Sequence, residues 1–392
     1  MQTCLSALHP LGSTLQTNLC PLQTKLSSVD CLTNTLKTDL CALHPLSSTR
    51  KLTVNALKTQ GEKLWHVSNI FRIPEQEALA DKLCANTFAD VVFFSNSGTE
   101  AIECALKMAR KYQTAQGKPE KIEIIGFEGA FHGRTYAAVN AAGNPSYVDG
   151  FGPRLPGYTH LPFGDVQALT AAIGPQTCAV IIEPVQGEGG CRAASDEYLR
   201  KMRRLCDQHG ALVIFDEVQC GMGRTGKLFA HEWAGVPPDV MAIAKGIGGG
   251  FPVGACLATE RVGQVMSAGT HGSTFGGNPL AMAVGNAVLD VMLAEGFMDG
   301  VQIMAKKLTA RLAAVAKKHP KVLRGVRGAG MMLGIECNAP NTDVLARLRA
   351  NGLLAVTAGE NVIRILPPLI IDDSHVEEAG AILDRACADI EG

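Results

Sequence analysis

"FADVVFFSNSGTEAIECALKMARKYQ", residues Phe88–Gln113, reads as strand, turn and helix. A short apolar run comes first. Ser97, Gly98 and Thr99 then open a segment in which Ile102, Ala105, Leu106 and Ala109 recur at i, i+3, i+4 and i+7, one stripe of a helix. Free backbone N–H groups and the positive end of the dipole at such a helix start suit a phosphate. A plain N-cap by Ser97 or Thr99 is the alternative reading of the same residues.

Further short apolar runs follow: "KIEIIGF", "CAVIIEPV", "ALVIFDEV" and "DVMAIAKG". They lack a period of two and are separated by helical text such as "DEYLRKMRRLCDQHG". Continuous apolar strands alternating with helices imply an α/β fold with a mostly parallel sheet covered on both faces. In such sheets ligands bind beyond the carboxyl ends of the strands. The polar residues at those ends are Glu183, Asp216 and Lys245.

"FDEVQCGMGRTGKL", Phe215–Leu228, resembles two nucleotide motifs at once. As a P-loop it lacks the final hydroxyl, because Leu228 stands there. As a dinucleotide fingerprint its glycines come too late after the strand, and no long helix follows. The more unusual residue of the stretch is Asp216, an acid that closes an apolar run.

The 392 residues are 46% hydrophobic and 19% charged, enough for two domains with large cores. A net charge of −1 gives no field to attract nucleic acid or an anionic membrane. No apolar run reaches the roughly 18–20 residues of a membrane span. The 13 cysteines show no C-x-x-C pair and no metal-ligand spacing. They read as buried free thiols in a reducing cytoplasm, with no metal site.

Residues 1–53 form a separate segment. From Leu8 to Thr49 the text divides into sevens, including LHPLGST, LQTNLCP and LHPLSST. Leucine recurs as in a coiled coil, but Thr, Ser, Cys and Asn fill the other positions, and Pro10, Pro21 and Pro45 would interrupt a helix. The segment reads as a degenerate, poorly ordered repeat.

Lys245, between an apolar strand and glycines, is expected to be partly desolvated, which lowers an ammonium pKa and favours nucleophilic chemistry. A buried Asp216 needs a cationic partner, and a Lys245–Asp216 ion pair is one way to supply it. Pyridoxal phosphate is another answer. It needs a Schiff-base lysine, an acid at its ring nitrogen and an anion cradle. Lys245, Asp216 and Ser97–Thr99 supply all three.

From about Leu57 onward the chain resembles the class III aminotransferases, and within that class the acetylornithine group. The matching text includes "KLWHVSN", "FFSNSGTEAIECALKMAR", "FHGRT", "IIEPVQGEGG", "LVIFDEVQCGMGRTGKLFAHEWAGVPPDV", "AKGIGGGFPVGACLAT" and "GTHGSTFGGNPLA". The resemblance implies the fold-type I scaffold of pyridoxal-phosphate transferases. That is a large domain, 54–278, around a mostly parallel seven-stranded sheet, and a small α+β domain, 279–392. It implies that Lys245 forms the Schiff base and moves the proton, with Asp216 at the pyridine nitrogen and Gln219 near the ring hydroxyl. Ser97, Gly98 and Thr99 would hold the phosphate and Phe131 would stack on the ring. Arg134 would clamp a substrate carboxylate, with Ser273 near the substrate. Thr274 would reach the phosphate of the partner subunit in a homodimer with shared sites. Glu188 and Arg364 would form a pair that closes for the amino donor and opens for 2-oxoglutarate.

The implied reaction moves the δ-amino group of N-acetylornithine to 2-oxoglutarate, giving glutamate, within arginine synthesis in the cytoplasm. Ornithine, succinylornithine, succinyl-diaminopimelate and 4-aminobutyrate are alternative donors. The repeat stands where the family carries a segment that covers part of the site, so cofactor binding is expected to survive better than turnover.

Overall fold

The computed structural model describes residues 44–392, with side chains from Lys51, and the unit Lys51–Gly392 carries the fold. The repeat up to residue 43 lies outside the described residues. Residues 44–53, grouped above with the repeat, are instead the start of a helix, His44–Gly61. Pro45 falls in its first turn, where its missing N–H removes no helical bond, so it begins this helix and does not break it.

A seven-stranded sheet is formed by β1 (Val91–Ser95), β2 (Glu123–Phe127), β3 (Tyr158–Leu161), β4 (Thr177–Ile182), β5 (Leu212–Asp216), β6 (Val240–Ile243) and β7 (Gly254–Ala258). Their order is β1-β7-β6-β5-β4-β2-β3. Neighbours pair in parallel except around β7, which runs antiparallel to both β1 and β6. The pattern of apolar runs missed β7, because "GACLA" is built of small residues behind a glycine run.

Alternate residues of each strand enter two different cores. Ile125, Val180, Val213, Phe215 and Met241 join one cluster. Ile124, Ala179, Ile181, Ile214 and Val240 join another. Both faces are therefore covered, which is why these strands are apolar throughout. The helix Gly98–Ala115 belongs to the second cluster through Ile102, Ala105, Leu106 and Ala109, the stripe read from sequence.

A second sheet comprises β8 (Leu323–Ala329), β9 (Met332–Cys337), β10 (Val356–Ala358) and β11 (Val362–Ile365), in the order β8-β9-β11-β10, all antiparallel. Helices Phe297–Lys318, Asn341–Ala350 and Asp373–Glu391 pack on it around a third core. Helix Pro279–Met292 joins the core of the large sheet. The nine cysteines among the described residues are all free thiols, and eight are buried. No single described helix is long and apolar enough to cross a membrane, and no cluster of described residues has the makings of a metal site.

Candidate active site

β1, β4, β5 and β6 end on the same edge of the sheet, and the residues just beyond those ends line one cavity of about 470 Å³. Ser97, Gly98, Thr99, Phe131, Arg134, Asp216, Gln219 and Lys245 all face it, together with Glu183. The volume lies within the roughly 300–1,000 Å³ of ligand pockets.

At one side the helix Gly98–Ala115 points its N-terminus into the cavity. The Ser97 side chain caps Glu100 N, and Ser97 O receives Ala101 N. That leaves the Gly98 and Thr99 N–H groups without a partner among the described residues, free for an anion. Gly98 is required by close approach: a Cβ there would stand 2.6 Å from Val218 Cγ1. Gly133, at φ 121°, likewise admits no side chain, because a Cβ would meet Thr99 Oγ1 at 2.2 Å.

Asp216 ends β5 and is buried. His132 Nδ1 donates to its Oδ2 at 2.7 Å, and Val218 N donates to its Oδ1 at 3.0 Å. Burial disfavours the imidazolium, yet the bond to Asp216 and its charge prevail, so the His132 pKa is raised. His132 Nε2 has no partner among the described residues. Glu183, just past β4, is buried beside this pair. Its Oε2 accepts from Phe131 N at 3.0 Å and its Oε1 from Gly187 N at 3.4 Å. Burial, then the charge of Asp216, pushes its carboxyl up to about 7.

Lys245 departs from expectation. It is exposed to the cavity, not desolvated, and among the described residues it forms no ion pair with Asp216. The hydrogen-bond partner of Asp216 is His132. The reason lies in the backbone: Lys245 begins a 3₁₀ turn at φ 47°, a left-handed conformation uncommon outside glycine, which turns it into the open space.

Arg134 stands over the Tyr147 ring at 4.1 Å and the Phe131 ring at 5.5 Å, with no acid partner among the described residues. Arg364, from β11, meets Glu188 Oε1 at 2.6 Å through Nη1. The same nitrogen donates to Gln219 Oε1 at 3.0 Å, which links the pair to the cavity wall. Its Nε is buried with no partner among the described residues. Ser273 accepts from Asn96, a cavity residue, at 3.2 Å. Thr274 is exposed and is not among the residues lining the cavity.

The sequence reading gave no role to His132, although it lies within the quoted "FHGRT". Nothing in the spacing signals that this histidine meets an acid 84 positions away. The nucleotide-like loop after Asp216 is anchored by a further buried acid, Glu217. Its carboxylate accepts from Ala230 N and His231 N, both at 2.8 Å, and lies 3.0 Å from His231 Nδ1.

The cavity offers a free helix N-terminus for a phosphate, a fixed carboxylate for a protonated ring nitrogen and a lysine for a carbonyl. These features fit pyridoxal phosphate. The model of the family "Aminotransferase class-III" matches residues 49–387. Acetylornithine aminotransferase 2 of Caulobacter vibrioides is 59% identical over 330 residues, 84% of this chain and 82% of that protein. The acetylornithine aminotransferase of Mesorhizobium japonicum is 57% identical over 333 residues, 85% and 83% of the two chains. Among solved structures, an ornithine aminotransferase from Toxoplasma gondii is similar with a TM-score of 0.83 at 31% identity, covering 87% of this chain and 83% of that one.

Proposed function

This chain belongs to the class III aminotransferases, which depend on pyridoxal phosphate, and from that premise we propose that it transfers the δ-amino group of N-acetylornithine to 2-oxoglutarate, in arginine biosynthesis. The observation that carries the reading is the contrast between two arginines. Arg134 is free of acids, while Arg364 is neutralised by Glu188 at 2.6 Å and keeps a buried, unpartnered Nε. N-acetylornithine carries one carboxylate, far from its reacting amine. Arg134 takes that carboxylate, and the neutralised Arg364 tolerates the uncharged reacting end. 2-Oxoglutarate carries two carboxylates and needs both guanidiniums. Glu188 must then leave Arg364.

Gly98 and Thr99 N–H groups, with Ser97, hold the phosphate, and Phe131 covers one face of the ring. Asp216, fixed by His132 and Val218 N, keeps the ring nitrogen protonated. Gln219, in the cavity wall, would stand near the ring hydroxyl. When bound, the cofactor supplies a carbonyl for the amine and a ring that accepts electrons from the reacting carbon. Lys245 Nζ removes the proton from that carbon and returns it one position away, and its exposure in the cavity gives it the freedom to do both. Ser273 contacts the substrate beside Asn96.

We read the assembly as a homodimer in the cytoplasm, with Thr274 reaching the partner's phosphate. Trp65, Ile70, Phe71 and Phe275 are more than half exposed, an apolar surface that a second copy would cover. Turnover with N-acetylornithine, ornithine and 4-aminobutyrate tests the substrate, beside Lys245→Ala. N-acetylornithine is expected to give the highest kcat/KM, and Lys245→Ala to be inactive. A tenfold preference for either other amine overturns the assignment.

A further inference from the structure

The loop Gly187–Arg192 carries Glu188 and lies against the four-stranded sheet that carries Arg364. Three contacts hold it there without using the Glu188 side chain, and a fourth ties two of the sheet residues together. Gly359 N donates to Glu188 O at 2.8 Å, and Arg327 Nε donates to Gly190 O at 2.7 Å. Arg192 Nη1 meets Glu360 Oε1 at 3.1 Å. Arg327 Nη2 meets Glu360 Oε2 at 2.7 Å, an ion pair without hydrogen-bond alignment. The two backbones approach too closely for a side chain between them. A Cβ on Gly190, at φ 102°, would stand 2.7 Å from Gly359 O, and one on Gly359 would stand 3.2 Å from Glu188 O.

Glu360 is thus shared by an arginine of the loop and an arginine of β8. Its backbone is unusual: Glu360 and its neighbour Asn361 both have positive φ, 58° and 59°. Asparagine tolerates that region, and the Asn361 side chain fixes the turn by donating to Cys337 O at 2.7 Å and Ala339 O at 2.9 Å. A glutamate there has no such local compensation, so its conformation is held by what its side chain reaches. It reaches Arg192 and Arg327, whose side chains are each about one-quarter exposed.

We infer that Glu360 is a positioning residue for the substrate switch: by neutralising Arg192 and Arg327 together it holds the Glu188 loop on the sheet that carries Arg364. The inference rests on the reading of Glu188 and Arg364 as that switch. With the loop fixed, closing or opening the pair needs only rotation of the Glu188 side chain. A fixed backbone also keeps the Glu188 carboxylate at high effective concentration beside Arg364. Without the charge of Glu360, Arg192 loses its ion pair to the sheet and Arg327 keeps only Glu336, 3.6 Å away, so the loop loosens and Arg364 is free for a larger share of the time. Substrates with a carboxylate at the reacting end then gain over N-acetylornithine.

The test compares Glu360→Gln and Arg192→Gln with wild type and Glu188→Gln, each loaded with cofactor. Two quantities are read: the ratio of kcat/KM for N-acetylornithine to that for L-glutamate, and the Kd of glutarate, an unreactive dicarboxylate. Glu360→Gln is expected to lower the ratio at least fivefold and to tighten glutarate severalfold, with Tm within a few degrees of wild type. Arg192→Gln moves both in the same direction, Glu360→Asp restores part of the loss, and Glu188→Gln moves both further. A ratio within twofold of wild type, or equal losses with both amines, overturns the role of Glu360 while leaving the switch intact. No change in Glu188→Gln overturns the switch and the inference with it.

Discussion

His132 Nδ1 stands 2.7 Å from Asp216 Oδ2, and both side chains are buried. The histidine sits on the loop after β2 and the acid on the end of β5, so the bond fixes the carboxylate in the cavity wall. His132→Leu keeps the bulk and removes the donor. It is expected to weaken cofactor binding about tenfold, the ~1.4 kcal/mol of one charge-assisted hydrogen bond. Equilibrium titration of the apoprotein with pyridoxal phosphate, followed by absorbance, measures this. An unchanged Kd would show that Asp216 needs no support.

The same bond has a pH signature. The folded-state pKa of His132 is raised, because its partner Asp216 outweighs the effect of burial. A raised histidine contributes stability that is fully present below the unfolded pKa of about 6.5 and is lost as pH rises through the folded value. The Tm gap between wild type and His132→Leu is therefore largest below pH ~6.5 and narrows above it. A gap that widens from pH 6 to 9 contradicts the assignment.

Glu183 behaves as a protonated acid up to about pH 7, where the ordinary value is 4.5. The folded state holds this proton more tightly than the unfolded chain. Its contribution is full below 4.5 and is lost as pH climbs to about 7. Relative to Glu183→Gln, wild type should lose stability across that window and run parallel above it. Chemical denaturation at pH 5, 6, 7 and 8 gives the comparison, and parallel curves throughout would count against a raised value.

Gly98→Ala places a methyl 2.6 Å from Val218 Cγ1, and valine has little freedom to rotate away. The helix start must shift from the cavity, at a cost of about 1–3 kcal/mol in overpacking. Cofactor Kd should rise by an order of magnitude or more, with inorganic phosphate losing its protective effect on Tm. Retained phosphate protection would place the anion elsewhere.

Glu217 holds the loop after Asp216 through three nitrogens on Ala230 and His231 and is fully buried. Glu217→Gln replaces an acceptor oxygen by a donor against those N–H groups. Loss of a buried, hydrogen-bonded charge costs roughly 3–5 kcal/mol. Denaturant midpoints should fall accordingly, and a change under 1 kcal/mol would mean that the loop is held by other contacts.

Local text decided the sheet and one side of the site. Ile102, Ala105, Leu106 and Ala109 mark a buried helix face because a helix repeats every 3.6 residues. The apolar runs mark two-faced strands because both faces must be covered. Asp216 and Lys245 stood out because charge at the end of such a run is costly unless used. β7, with its small residues, carried no such signal, and neither did the helix that begins at His44, where threonine and proline argued for a break.

Tertiary structure alone decided the partners. Asp216 could have met Lys245, and sequence offers no way to choose. The fold brings His132 to the acid and turns Lys245 outward at a left-handed φ. The three contacts that place the Glu188 loop come from residues up to 171 positions away. Periodicity is a property of neighbours along the chain and is written in the sequence. Pairing of charges across elements depends on how whole layers dock, and it exists only once the two sheets and their loops are assembled.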